Sequence, residues 1–176
     1  MNILDKLSER WIGINYPFLI HANGSLRFDE VASQQHIDLS EIKSGDVVAL
    51  IGDFNPQSIL TLLQLIDKKV ILVPLTVDTK SQHEYFFESA LVDVVIENDK
   101  IKRINHSQKH ELIDSLRSKD HAGLVLFSTG TTGRPKAILH DLTLFMQRFE
   151  TPRPTLKTIN FLFFSRNFSI HLTSSG

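Results

Sequence analysis

The spacing of apolar positions changes repeatedly along this chain, and each change predicts an element. Ile3, Leu4, Leu7 and Trp11 recur at helical intervals between charged residues, which predicts a short N-terminal helix with Trp11 on its packed face. Residues 17–22 and 25–28 flank Asn23-Gly24, a strong hairpin dipeptide. Val47–Ile51 is an uninterrupted apolar run, the pattern of a strand buried on both faces. Asn55 then reads as an N-cap and Pro56 as the first helical residue, and Ile59, Leu60, Leu62, Leu63 and Ile66 continue a helix with a wide apolar face. Residues 70–75 return to strand, giving a β-α-β unit with a right-handed crossover.

The alternation repeats downstream. Residues 81–90 predict a helix whose Tyr85, Phe86 and Phe87 are read as packing on a sheet rather than as a ligand platform, and residues 92–96 predict the next strand. Lys100–Arg103 is a short polar strand or turn, residues 111–116 a helix, and residues 123–127 a strand. Ala137-Ile138-Leu139-His140 reads as another strand, Asp141 as the cap of a helix to Phe149, and Pro152 and Pro154 as a break before a strand-like run at 160–164. The predicted fold is α/β, a mostly parallel sheet with flanking helices.

Between two of these strands lies the densest chemistry of the chain. Val125-Leu126-Phe127-Ser128-Thr129-Gly130-Thr131-Thr132-Gly133-Arg134-Pro135-Lys136 gathers hydroxyls, two glycines and two cations into one loop. Gly130 and Gly133 remove Cβ where a backbone must approach a ligand or take positive φ, so that N–H groups can converge on an anion. Ser128, Thr129, Thr131 and Thr132 add movable donors, and Arg134 and Lys136 the counter-charge. A Walker A loop does not fit: it needs four residues between its first Gly and Gly-Lys-Ser/Thr, whereas Lys136 here follows Pro135. A bare Gly-Thr-Thr-Gly is equally an ordinary hairpin loop. The filled flanking positions favour a polyphosphate cradle.

At these residues the sequence resembles the AMP-binding, adenylate-forming superfamily, which includes acyl-CoA synthetases, peptide-synthetase adenylation domains and luciferases. Residues 45–50, 56–67 and 70–75 are similar to that family's strand, helix and strand ending in Val-Pro-Leu, and residues 18–28 before Asp29-Glu30 to its N-terminal hairpin and helix start. The resemblance implies an incomplete N-terminal part of the adenylate-forming ligase fold. It implies AMP-forming activation of a carboxylic acid by ATP with Mg²⁺, followed by transfer to a thiol of CoA or a carrier protein. By the match, Ser128, Thr129, Gly130, Thr131, Thr132, Gly133, Arg134 and Lys136 bind the ATP phosphates, Lys136 is the catalytic cation, and Arg134 occupies a variable position. His140 follows the loop across one strand, where a substrate-pocket role and polar packing are both open.

The family's Tyr-x-x-Thr-Glu segment, Thr-Gly-Asp strand and neighbouring Arg, and a C-terminal domain bearing a catalytic lysine, are not found in these 176 residues. The expectation is therefore a partial AMP-binding domain over 1–176 with the C-terminal catalytic domain absent, as in a truncated or frameshifted gene product or a cut fragment. It is either the N-terminal portion of an acid–thiol ligase, incomplete as a catalyst alone, or a non-catalytic nucleotide-binding or interaction module.

Composition narrows the partners. A net charge of −1 leaves no electrostatic footprint for nucleic acid, and no apolar stretch approaches a membrane span. The charged N-terminus is unlike a secretory signal, so a cytoplasmic location is expected. The lack of cysteine excludes disulfides, thiolate catalysis and cysteine–zinc sites. His106 and His110 have a two-histidine spacing without further ligands, so no metal site is expected there, and Asp46 and Asp53 are read as turn residues.

Overall fold

The computed structural model describes residues 3–53, 55–104, 108–128 and 133–148. Helix α1 (Ile3–Trp11), a small antiparallel hairpin of β1 (Leu19–His21) and β2 (Gly24–Leu26), and helix α2 (Phe28–Ala32) open the chain. β3 (Val47–Ile51), α3 (Pro56–Asp67) and β4 (Ile71–Leu75) form the expected β-α-β unit, the strands parallel with Val47 opposite Ile71. A 3-10 turn (Val77–Gln82) and α4 (His83–Ala90) lead to β5 (Val94–Glu97), which pairs in parallel with the other side of β3. β6 (Lys100–Arg103), α5 (Glu111–Ser118), β7 (Gly123–Ser128), β8 (Lys136–Asp141) and α6 (Leu142–Gln147) follow. The main sheet runs β6-β5-β3-β4-β7-β8, antiparallel only at its two outer pairs.

The continuous apolar runs are explained by helices on both sheet faces. Val48, Leu50, Leu72, Val94 and Ile96 face α3, where Leu60 and Leu65 are fully buried. The alternate residues Val47, Ala49, Ile51, Ile71, Val73 and Val95 face Phe86 and Ala90 of α4 and Ile113 and Leu116 of α5. Period-2 side chains on a strand buried from both sides leave no polar position, as β3 illustrates. Asn55 caps α3 as predicted, its Oδ1 accepting the Ser58 N–H at 2.9 Å, with Pro56 at the first turn.

Several expected boundaries move for identifiable reasons. The N-terminal hairpin pairs His21 with Gly24, so its two-residue turn is Ala22-Asn23 rather than Asn23-Gly24, and Gly24 takes φ +135° as the first residue of β2. The helix expected from 81 starts at His83, because Val77–Gln82 winds as 3-10 and the buried His83 Nε2 donates to the Thr76 carbonyl at 3.0 Å. Residues 100–103 are a strand: Asn98 and Asp99 both take positive φ (50° and 60°), the two-residue turn whose twist suits a hairpin. Asp141 caps α6, and the strand expected at 160–164 lies outside the described residues.

Ion pairs tie the N-terminal ends of the parallel strands. Arg103 reaches Asp46 at 2.9 Å and the Glu41 carbonyl at 2.8 Å, and Asp46 also accepts the Lys43 N–H at 2.9 Å, which bears out its turn role. Arg117 donates to Asp93 at 2.9 Å and to the Gly45 carbonyl at 2.8 Å, while Asp93 accepts the Val47 N–H. Lys69 pairs with Asp120, and that hydrogen bond holds the Asp120 carboxyl below the usual carboxylate range. The opposite edge, where the strands end, is left to the loops.

Candidate functional site

The loop joins two strands, as the sequence predicts; they are antiparallel neighbours, and their register fixes what stands at its mouth. Ser128 lies directly opposite Lys136. Opposed residues of an antiparallel pair project to the same face with Cβ atoms about 4.5–5.5 Å apart, so a hydroxyl and an ammonium are presented side by side. Both residues are exposed. Thr129, Gly130, Thr131 and Thr132 lie outside the described residues. Gly133 takes φ +91°, and among the described residues nothing lies within 4 Å of where its Cβ would be. Backbone conformation, not crowding, therefore requires glycine there.

The same strand geometry places the loop where ligands of parallel sheets bind. β3, β4 and β7 are mutually parallel, so residues 52–53, Thr76 and Ser128 emerge from one edge of the sheet. The connection from β3 packs on one face through α3 and that from β4 on the other through α4, which makes this edge a topological switch point. A small cleft beside it is lined by Gly52, Asp53 and Ser58. A Cβ on Gly52 would sit 2.5 Å from the Ser58 hydroxyl oxygen, so a larger residue there requires the Ser58 side chain to turn away. Among the described residues no carboxylate pairs with Arg134 or Lys136, whereas the salt bridges of Arg103, Arg117 and Lys69 sit at the far edge.

Helix α4 supports the loop from below. Phe86 stacks on Phe127, ring centroids 4.1 Å apart and planes 27° apart. The Tyr85 hydroxyl donates to the Pro135 carbonyl at 2.8 Å, and the Arg134 guanidinium carbon lies 5.9 Å from the Tyr85 ring centroid. Packing alone is thus an incomplete account of Tyr85. A tyrosine in a helix that crosses back over the sheet is a weak sequence signal, since only the fold brings residues 85 and 135 together.

The remaining candidates separate. His140 shares the sheet face of Ser128 and Lys136, because it pairs with Leu124, yet it stands four residues along β8 from Lys136, roughly 13 Å at the strand rise. At that far end His121 Nδ1 is 2.8 Å from Asp141 Oδ2, and Asp141 Oδ1 accepts the Leu144 N–H at 3.0 Å. Burial pushes the Asp141 carboxyl up, but the Leu144 N–H, the His121 contact and nearby positive charge outweigh it and hold it below its ordinary value. His110 caps α5 through its Nδ1, which accepts the Leu112 N–H at 3.3 Å; His106 lies outside the described residues. Among the described residues no group of three His, Asp or Glu side chains converges on a metal position.

No protein-family model matches this chain, and no curated protein matches it. Solved structures do. The N-terminal subdomain of NpsA from Klebsiella oxytoca superposes with a TM-score of 0.55 at 20% identity, over 78% of this chain and 41% of that one. The same subdomain in complex with 3-hydroxybenzoyl-AMSN gives 0.54 at 20% identity, covering 78% and 39%. VinN in complex with 3-methylaspartate gives 0.53 at 15% identity, covering 81% and 48%. The chain spans about two-fifths to a half of the length of these neighbours. The likeness shows the fold: the α/β architecture is that of the N-terminal portion of such proteins, as the resemblance around residues 125–136 implies.

Proposed function

We propose that this chain supplies the polyphosphate cradle of AMP-forming carboxylate activation, in which a carboxylate attacks the α-phosphorus of ATP, pyrophosphate leaves, and the acyl-adenylate passes its acyl group to a thiol of CoA or a carrier protein. The observation that carries the reading is the Ser128–Lys136 register at the C-terminal edge of the parallel strands, closed by a loop that turns through Gly133 at positive φ. In this proposal Ser128, Thr129, Thr131 and Thr132 donate to the β- and γ-phosphates, Gly130 and Gly133 let the backbone wrap them, and Lys136 neutralises charge that grows on the departing pyrophosphate. Arg134 adds a second cation at the rim. VinN has been solved with L-aspartate, so a related fold holds a carboxylic acid.

Among the described residues no group of three His, Asp or Glu side chains converges at the loop, so in this proposal magnesium would be carried by the phosphates of the nucleotide. A second reading, a non-catalytic module that binds nucleotide or a partner chain, is favoured by the exposed apolar pair Leu126 and Ile138 on the sheet face of the loop strands.

Titration of the purified 176-residue chain with Mg-ATP, alongside carboxylate-dependent ATP–pyrophosphate exchange, tests the proposal. The expected result is measurable binding, without exchange by this chain alone, that weakens about ten- to a hundredfold in Lys136→Ala, the range for losing a charge-assisted hydrogen bond. Equal affinity in Lys136→Ala, or no binding by the wild type, overturns it.

A further inference from the structure

We propose that Tyr85 is a positioning residue for the phosphate loop, and that two consecutive residues of α4 clamp the two arms of its hairpin. Ser128 and Lys136 form the last register pair before the loop. The residue preceding each is held by α4: Phe127 by stacking on Phe86, and Pro135 by the Tyr85 hydroxyl. Phe86 is buried in the core beneath the sheet, so α4 is a fixed platform and not a surface flap.

The contact at Pro135 controls direction as well as distance. Pro135 lies just outside the ladder that ends at Ser128–Lys136, and among the described residues its carbonyl has no cross-strand partner in that ladder. Tyr85 supplies one at 2.8 Å. Proline already fixes φ near −65°, and anchoring its carbonyl sets the plane of the Pro135–Lys136 peptide, from which the Lys136 side chain departs. On the other side of the proline, the Arg134 guanidinium lies against the Tyr85 ring within cation–π range. One side chain thereby constrains both cations of the loop, by its hydroxyl through Pro135 and by its ring through Arg134. Cations already held in place lose less conformational freedom when a polyphosphate binds, so the gain appears in polyphosphate affinity.

This inference rests on the polyphosphate reading above, and its test separates the two. Wild type, Tyr85→Phe and Tyr85→Leu are titrated with Mg-ATP and with inorganic tripolyphosphate, and exchange of the three amide hydrogens within 133–136, those of Gly133, Arg134 and Lys136, is followed without ligand. Tyr85→Phe keeps the ring and loses the hydroxyl: affinity is expected to fall about three- to tenfold, with faster exchange at 133–136, unchanged exchange in β3 and β4, and an essentially unchanged melting temperature. Tyr85→Leu should fall further, and in an Arg134→Ala background its extra loss over Tyr85→Phe should vanish. Wild-type affinity in both variants, or a loss that only tracks melting temperature, overturns the positioning role while leaving the polyphosphate cradle standing. A wild type that binds neither probe removes the cradle instead. The exchange at 133–136 then decides alone whether Tyr85 holds the loop: unchanged exchange in Tyr85→Phe rejects the anchor as well.

Discussion

Gly123 opens β7 and sits under α5, and replacing it by alanine tests whether the loop strand is placed by close packing. A Cβ there would stand 2.8 Å from Leu116 Cδ1 and 3.1 Å from both γ carbons of Ile71. Leu116 is 95% buried and Ile71 fully so, with 5% and 0% exposed. Relief to an ordinary contact near 3.6 Å needs shifts of roughly 0.5–0.8 Å in a core packed to crystal-like density. The Ile71 carbons are β-branched, stiff at χ1 and close to the β4 backbone, so the leucine must move first and β7 second. Overpacking of this kind costs about 1–3 kcal/mol, and Gly123 is not at positive φ, so alanine regains about 0.4–1 kcal/mol from the unfolded chain. The two ranges net to destabilisation of about 0–2.6 kcal/mol, centred near 1.3 kcal/mol, which at the centre is a fall of roughly 3–5 °C in melting temperature for a domain of this size. Urea unfolding followed by far-ultraviolet circular dichroism measures it. A variant more stable than the wild type would refute the reasoning and mean that α5 yields freely. Because β7 carries Ser128 at its other end, the same variant should also weaken Mg-ATP binding.

Other outcomes follow from single contacts. Asp141 has a folded-state pKa below its unfolded value, so its contribution is present above the ordinary carboxylate range and lost as pH falls through the folded value; the urea midpoint should drop more steeply below about pH 4 in the wild type than in Asp141→Asn, and parallel profiles would contradict this. Arg117→Ala removes the bonds to Asp93 and the Gly45 carbonyl, and, with the side chain about a third exposed, should cost only about 1 kcal/mol in urea midpoint analysis; a loss above about 3 kcal/mol would show that solvent screening has been overestimated. Leu126 and Ile138, 43% and 44% exposed and paired on one face, should bind a hydrophobic dye in the native state, and Leu126→Thr with Ile138→Thr should abolish the signal; native protein that binds no dye would rule the patch out.

The features legible in the chain alone lie within short reach of one another. The β3-α3-β4 unit is legible because a buried parallel strand needs an unbroken apolar run, and because Asn55 and Pro56 write a helix start in adjacent residues. The loop is legible for the same reason, its glycines, hydroxyls and cations being contiguous. Contacts between distant residues left no such trace. The turn at residues 22–23 instead of 23–24 is a register choice, settled by which residues of β1 and β2 pair. His110 reads as half of a histidine pair until the helix beside it requires a cap. Tyr85 reads as packing because its neighbour Phe86 is packing; only the crossover that lays α4 under β7 and β8 brings the Tyr85 hydroxyl to Pro135 and the Tyr85 ring to Arg134, fifty residues away in the chain. Those contacts arise only on folding, since a parallel sheet with helices on both faces joins at one edge side chains that no local periodicity connects.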